Sequence, residues 1–152
     1  MDRGKIFDLV KTVMRGRLAE EEKLRFIAKT LYDEIEIFNW VGFYMNHPKK
    51  GRMLKLGPFF GAPTDHVEIP YGKGICGQAA QREETFVIQD VTKQNNYLSC
   101  SIDVKSEIVV PIFRKGNIAG QLDIDSHKLN PFTPKDRKFL EEICKEISNN
   151  LE

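Results

Sequence analysis

The segment EIVVPIFRKGNIAGQLDID, residues 107–125, places the strongest constraint on the fold of this chain. Two apolar runs flank the short polar stretch RKGN, and this pattern predicts a β-hairpin. Strands that are joined by so short a turn run antiparallel. We therefore expect an antiparallel sheet that contains this hairpin.

Further strands are predicted at 39–45, 52–60, 66–70 and 85–90, where apolar, aromatic and β-branched residues lie between polar turns. Within 71–84, a glycine-rich turn opens a short helix. Apolar residues recur at helical spacing in two stretches near the N-terminus, which predicts two helices there (Ile6, Leu9, Val10, Val13, Met14; Leu24, Ile27, Ala28, Leu31, Ile35).

A final helix is predicted after Thr133, which is placed as its N-cap, with Pro134 in the first turn and Asp136 three residues after the cap. Helices at both ends of the chain can pack together on one face of the sheet. The prediction is an α+β fold, with a central antiparallel sheet of about six strands and the N- and C-terminal helices on one face. Residues 1–152 are expected to form a single domain.

Composition narrows the classes of partner. The net charge of +1 gives no reason to expect a nucleic acid or an anionic membrane. No apolar stretch approaches the roughly 18 residues of a membrane span. The N-terminus alternates charge with short apolar steps, unlike a signal peptide. We expect a cytoplasmic protein, in which three cysteines do not form a disulfide framework.

Two of the three cysteines lie in unusual places. Cys76 stands between two glycines at the predicted start of a helix, where N–H groups and the helix dipole lower a thiol pKa. Cys100 lies in the polar stretch 90–105, for which no regular structure is predicted. Packing for Cys76 and a loop position without a role for Cys100 stay open as alternatives. Cys144 falls on the apolar stripe of the last helix and is expected to be a core residue.

The two unusual cysteines suggest redox chemistry. A thiolate that attacks a soft electrophile needs a second thiol, which resolves the product by forming a disulfide. Cys76 and Cys100 could act in this way if the loop that carries Cys100 folds back over the glycine-rich turn.

Acidic residues accompany them on the predicted hairpin. Asp123 and Asp125 are two apart, so they share one face of a strand, and pairing across the turn brings Glu107 near them. Carboxylates so close together raise one pKa and can supply a proton near neutral pH. A solvated strand end is the alternative. The three histidines lack the spacing of zinc ligands, so we expect neither a metal nor a cofactor.

A set of motifs carries a family resemblance. The stretches NWVGFYM, LGPFFG, IPYGKGICGQAA, SEIVVPI and GQLDIDS, which lie between about Asn39 and Phe132, resemble the free methionine-(R)-sulfoxide reductases. Members of this family are single GAF-domain enzymes.

The resemblance implies a reductase of free L-methionine (R)-sulfoxide that a thioredoxin-type partner recycles, and it leaves a homodimer open. It assigns two redox cysteines, three carboxylates around the sulfoxide and the substrate ammonium, and two aromatic residues at the thioether end (Cys76, Cys100; Glu107, Asp123, Asp125; Trp40, Tyr44). Cys100 is expected to attack and Cys76 to resolve, and the reverse assignment stays open.

Two departures from the family pattern bear on recycling. His66 stands where many members have a third cysteine. Family members also commonly have an Asp directly after the second cysteine, whereas this chain reads CSIDVKSE from Cys100 onward. Two further functions stay open. One is a GAF sensor that binds a small ligand, and the other is a thiol redox sensor that consumes no sulfoxide.

Overall fold

A computed structural model describes residues 1–94 and 103–152 of the chain. Its helices are α1 (Arg3–Met14), α2 (Glu20–Glu34), α3 (Gly74–Arg82) and α4 (Pro134–Asn149). Its strands are β1 (Trp40–Asn46), β2 (Met53–Phe60), β3 (Glu68–Pro70), β4 (Phe86–Ile88), β5 (Ser106–Arg114) and β6 (Asn117–Ser126). Val91–Lys93 form one turn of 3-10 helix in the stretch for which no regular structure was predicted.

The six strands form one sheet in the order β3-β2-β1-β6-β5-β4, and every neighbouring pair is antiparallel. The predicted hairpin is β5 and β6, which pair from Ser106 opposite Ser126 to Arg114 opposite Asn117, with a register shift between Ile112 and Phe113. This hairpin lies near the centre of the sheet, and consecutive residues of both strands are buried, which shows that both of its faces are covered. The predicted α+β architecture is confirmed.

The helices from the two chain ends share one face of the sheet, as predicted, where α1, α2 and α4 cover the larger apolar core. Thr133 and Asp136 form a capping box at the start of α4, in which each side chain accepts from the backbone N–H of the other. The box satisfies donors that a helix end leaves unpaired. Among the described residues, no helix is long and apolar enough to cross a membrane.

The opposite face carries α3 and a smaller apolar cluster. Alternation along β6 separates the two faces, because Leu122 and Ile124 enter the larger core whereas Asp123 and Asp125 point the other way. The short helix α3 therefore covers a face of the sheet that is unusually rich in buried acids.

Candidate functional site

Three central strands bring the acids together in rows. Asp125 on β6 lies between Trp40 on β1 and Glu107 on β5. In the next row, Asp123 lies between Gly42 and Val109. Cross-strand neighbours in such rows stand about 5 Å apart at their Cβ atoms. The three predicted carboxylates are thus collected at one end of the sheet, and each is at most 5% exposed.

Cys76 reaches this face from the first turn of α3, where the sequence predicted a helix start. Gly77 lets the turn pack closely, since a Cβ at that position would lie 2.5 Å from the carbonyl oxygen of Pro70. The glycine therefore allows the helix start to approach the end of β3. This approach holds Cys76 against the sheet with 5% of its surface exposed.

The thiol and two of the acids form a compact cluster. Sγ of Cys76 donates to Oε2 of Glu107 at 3.7 Å. One ligand atom each from Cys76, Glu107 and Asp123 lie within 4.8 Å of one another. The same three side chains line a cavity of about 10 Å³, together with Tyr44, His66, Ile69 and Ile75. Such a volume holds about one water molecule.

The electrostatics of Cys76 correct one expectation. The helix start was expected to lower the pKa of this thiol, but its pKa is raised well above the ordinary value. Burial is the largest cause, and the negative charges of Asp123 and Glu107 add to it. Withdrawal from water and adjacent carboxylates outweigh the partial charge of one short helix. In this conformation Cys76 is a protonated thiol.

The spacing of the two aspartates predicted that their repulsion would raise one pKa, but both are raised and burial is the largest cause. Burial raises the pKa of Asp123, although hydrogen bonds from Glu107 and Cys76 oppose the change. Burial and the charge of Asp123 raise the pKa of Asp125 well above its ordinary value. Each aspartate has an Oδ1 atom without a hydrogen-bond partner among the residues that the structure describes. The pair can therefore hold a proton and still has free acceptor capacity.

The two aromatic residues lie beside the cluster. Tyr44 lines the cavity and donates from its hydroxyl to the carbonyl oxygen of His66 at 2.8 Å. Trp40 does not line the cavity; it stacks on Tyr44 with ring centroids 6.3 Å apart, and its Nε1 donates to the carbonyl oxygen of Ala62 at 3.0 Å. Gly42 leaves room for this arrangement, because a Cβ there would lie 2.4 Å from the Trp40 ring. Both aromatic side chains therefore hold the segment 61–66 beside the cavity by hydrogen bonds to its carbonyl oxygens.

Of the other two cysteines, the structure describes Cys144. Cys100 lies outside the described residues. Cys144 is buried in α4, its Sγ is 3.9 Å from the carbonyl oxygen of Val110, and burial raises the pKa of its thiol. Its predicted position in the core is confirmed, on the face of the sheet away from the acids.

Some residues of this face were not predicted. His66 and Ile75 line the cavity although they were noted only as a departure and as part of a motif. Gln121 is fully buried, and neither atom of its amide has a partner in residues 1–94 and 103–152. Period-two alternation from Asp123 and Asp125 back along β6 would have placed Gln121 on this face.

Comparisons with known proteins agree with this arrangement. The GAF domain family matches residues 18–152. A free methionine-R-sulfoxide reductase from Escherichia coli is 34% identical over 91% of this chain and 82% of its own length. One from Saccharomyces cerevisiae is 40% identical over 74% of this chain, which spans 62% of that protein.

A solved structure agrees as well. The X-ray structure of a free methionine-R-sulfoxide reductase from Neisseria meningitidis in complex with its substrate matches with a TM-score of 0.90. The two proteins are 32% identical, and the match covers 97% of this chain and 87% of the other. This is a likeness of the whole fold at substantial identity.

Proposed function

Because the chain belongs to the GAF domain family and, within it, to the free methionine-R-sulfoxide reductases, we propose that it reduces free L-methionine (R)-sulfoxide to methionine. The observation that carries this proposal is the cluster of the Cys76 thiol with the carboxyl groups of Glu107 and Asp123 around one cavity. A sulfoxide reductase needs both a thiol and an acid at the substrate, and this cluster supplies them within one site.

The acids suit a free amino acid. Asp123 and Asp125 are at most 2% exposed, and in the described part of the chain neither forms a salt bridge. A buried carboxylate is costly unless it is paired. The ammonium group of a free amino acid offers three donors and a positive charge. We propose that one carboxylate of this pair binds that ammonium, which a residue inside a peptide lacks.

Tyr44 and Trp40 are proposed to contact the methyl and thioether end of the substrate. Sulfur makes favourable contacts at the edges of aromatic rings. The two rings are stacked and held in place by the hydrogen bonds to the segment 61–66. A wall fixed in this way favours one orientation of the substrate, which is a requirement for choosing one of the two sulfoxide diastereomers.

The size of the cavity adds a requirement. A volume of about 10 Å³ is far too small for methionine sulfoxide, so the site must widen to admit it. We propose that the segment 61–66 moves to widen the site. Two side-chain hydrogen bonds hold this segment against the cavity, and these bonds would break when the site opens and re-form when it closes. Closure over the substrate would exclude water and would leave no space for a peptide chain.

The proposed reaction begins at the sulfoxide sulfur. A cysteine thiolate attacks that sulfur, while an acid from the group of Asp123, Asp125 and Glu107 donates a proton to the sulfoxide oxygen. The sulfur–oxygen bond of the substrate breaks, and the oxygen passes to the cysteine as a sulfenic acid. The substrate sulfur gains two electrons and leaves as methionine, and the cysteine sulfur loses two.

We propose that Cys100 is the attacking cysteine and Cys76 the resolving one. The buried, protonated state of Cys76 and its hydrogen bond to Glu107 support this assignment, because attack requires a thiolate. The Cys76 thiol then displaces water from the sulfenic acid and forms a disulfide. His66 cannot take this role, since it has no thiol.

A thioredoxin-type dithiol is proposed as the reductant. Its thiolate attacks one sulfur of the disulfide, and the second thiol of the reductant completes the exchange. Cys76 is only 5% exposed in the described conformation, so we propose that the reductant attacks the sulfur of Cys100 and releases Cys76.

One turnover assay tests the proposal. The enzyme is incubated with dithiothreitol and with each free L-methionine sulfoxide diastereomer or a sulfoxide-containing peptide, and methionine formation is measured. We expect the free R diastereomer to react at least about tenfold faster than the others, the ratio that 1.4 kcal/mol of preference gives. Equal turnover of the peptide would contradict the closed site. Binding of the free sulfoxide without turnover would favour the sensor.

A further inference from the structure

We propose that Cys76, Glu107 and Asp123 also form a site for one thiophilic divalent cation, of which Zn²⁺ and Cd²⁺ are the test cases. The proposal goes beyond sulfoxide reduction and does not depend on it. The sequence predicted no metal site, because the histidines lack the spacing of zinc ligands. This cluster uses no histidine.

The spacing of the ligand atoms carries the proposal. In a tetrahedral zinc site, a sulfur at about 2.3 Å and an oxygen at about 2.1 Å from the ion stand about 3.6 Å apart. Sγ of Cys76 and Oε2 of Glu107 are already 3.7 Å apart. The ligand atom of Asp123 completes a set whose members all lie within 4.8 Å of one another. Small side-chain rotations would close this triangle around one ion.

An unpartnered carboxylate oxygen is the second, independent observation. Asp123 lines the cavity, is 2% exposed, and has an Oδ1 atom without a hydrogen-bond partner among the described residues. Two buried acids elsewhere in the protein are paired, since Asp136 meets Arg3 at 2.6 Å and Glu146 meets Arg15 at 3.0 Å. A bound cation would therefore stabilise the buried carboxylates of this cluster.

The ligand types select the class of cation. One thiolate and two carboxylates suit zinc or cadmium, whereas calcium and magnesium prefer six or more oxygen ligands and wider or wetter sites. The cavity of about 10 Å³ holds about one water molecule, so it has room for one ion of similar size. On binding, the Cys76 thiol releases its proton to solvent and becomes a thiolate ligand, with no change in oxidation state.

Cation binding would block the proposed reaction. The ion would occupy the thiol that resolves the sulfenic acid and two of the carboxylates that contact the substrate. Zinc and free methionine sulfoxide should therefore exclude each other from the cavity. This consequence depends on the proposed function, whereas the binding itself does not.

The test is titration of the reduced protein with Cd²⁺ under a phosphine reductant, followed by the ultraviolet charge-transfer band of the cadmium–thiolate bond. We expect one equivalent to bind. Cys76→Ser should abolish the band, and Asp123→Asn should lower the affinity by roughly tenfold or more. Cys144→Ala and Cys100→Ser, which remove the other two thiols, should each keep the band.

Two outcomes would overturn the site. One is a band that persists in Cys76→Ser, and the other is a band lost in Cys100→Ser. Zn²⁺ alone gives a second readout if Cys76→Ser does not fold, because an ion that binds only the native state raises Tm. The wild type should gain thermal stability with Zn²⁺, and Asp123→Asn, which keeps the thiol, should gain much less. Equal gains in both proteins would also overturn the proposal.

Discussion

Sγ of Cys76 and Oε2 of Glu107 lie 3.7 Å apart, and each of these residues is only 5% exposed. The thiol comes from the first turn of α3 and the carboxylate from β5, so the contact joins the covering helix to the sheet. A carboxylate that accepts from a buried thiol stabilises its protonated form. The contact therefore favours Cys76 as a resolving thiol over Cys76 as the attacking thiolate.

The first prediction follows from this protonated state. At about pH 8, iodoacetamide should alkylate Cys76 in the native protein at least roughly tenfold more slowly than in urea, because only the thiolate reacts and burial raises its pKa. Peptide mass spectrometry after timed quenching measures both rates. Cys144, which is 1% exposed, is the internal control and should be protected as well. Labelling of native Cys76 at the urea rate would contradict the assigned state.

The second prediction concerns Asp125 and pH. The pKa of Asp125 in the folded protein lies well above its value in the unfolded chain. Above about pH 4, the native state therefore binds more protons than the unfolded state does. Stability is therefore lost with rising pH, and Asp125→Asn should remove that loss. We expect the variant to unfold at a higher urea concentration at about pH 7. The gain should vanish below about pH 4.

Asp136→Asn is the matched control for that change. The carboxylate of Asp136 accepts from Arg3 and caps α4, so its loss should lower stability by about 1 kcal/mol at neutral pH. The two Asp→Asn substitutions should thus have opposite signs. A loss of stability in Asp125→Asn at neutral pH would show that its carboxyl group is paired in the native protein.

The sequence predicted most of this arrangement, for identifiable reasons. The RKGN turn predicts that β5 and β6 pair, which brings Glu107 to the same end of the sheet as the aspartates. The exact partner of Glu107 was not predictable, because a register shift between Ile112 and Phe113 moves it opposite Asp125. The pKa of Cys76 was predicted with the wrong sign, because a sequence shows a helix start but not how deeply it is buried. His66 was missed as a cavity residue, since its place depends on contacts between distant segments such as Tyr44 with the 61–66 loop.

The third prediction concerns Cys144. Cys144→Ser should lower the free energy of unfolding by about 1–2 kcal/mol, because a hydroxyl replaces a buried thiol in the larger core. Turnover of free sulfoxide should stay within about twofold of the wild type. Cys144→Ala, which adds no polar group, should also keep its turnover. Loss of turnover in either folded variant would show that the cysteines were assigned wrongly.

The fourth prediction tests the segment beside the cavity. Tyr44→Phe removes the hydroxyl that holds the carbonyl of His66, so KM for the free sulfoxide should rise by roughly tenfold, the cost of about 1 kcal/mol or slightly more. Tyr71→Phe is the matched control, since the Tyr71 hydroxyl bonds Asn46 outside the cavity. It should leave KM unchanged. Equal changes in both variants would mean that the Tyr44 hydroxyl only stabilises the fold.

The last prediction decides which cysteine attacks. Without reductant, an enzyme that has lost only its resolving thiol still releases one methionine, because the sulfenic acid forms before resolution. Cys76→Ser should therefore release about one methionine per enzyme and then stop with thioredoxin, whereas small thiols should restart it by attacking the sulfenic acid. Cys100→Ser should release none. The reverse pattern would make Cys76 the nucleophile despite its burial, and a full first turnover in both variants would exclude a single essential nucleophile.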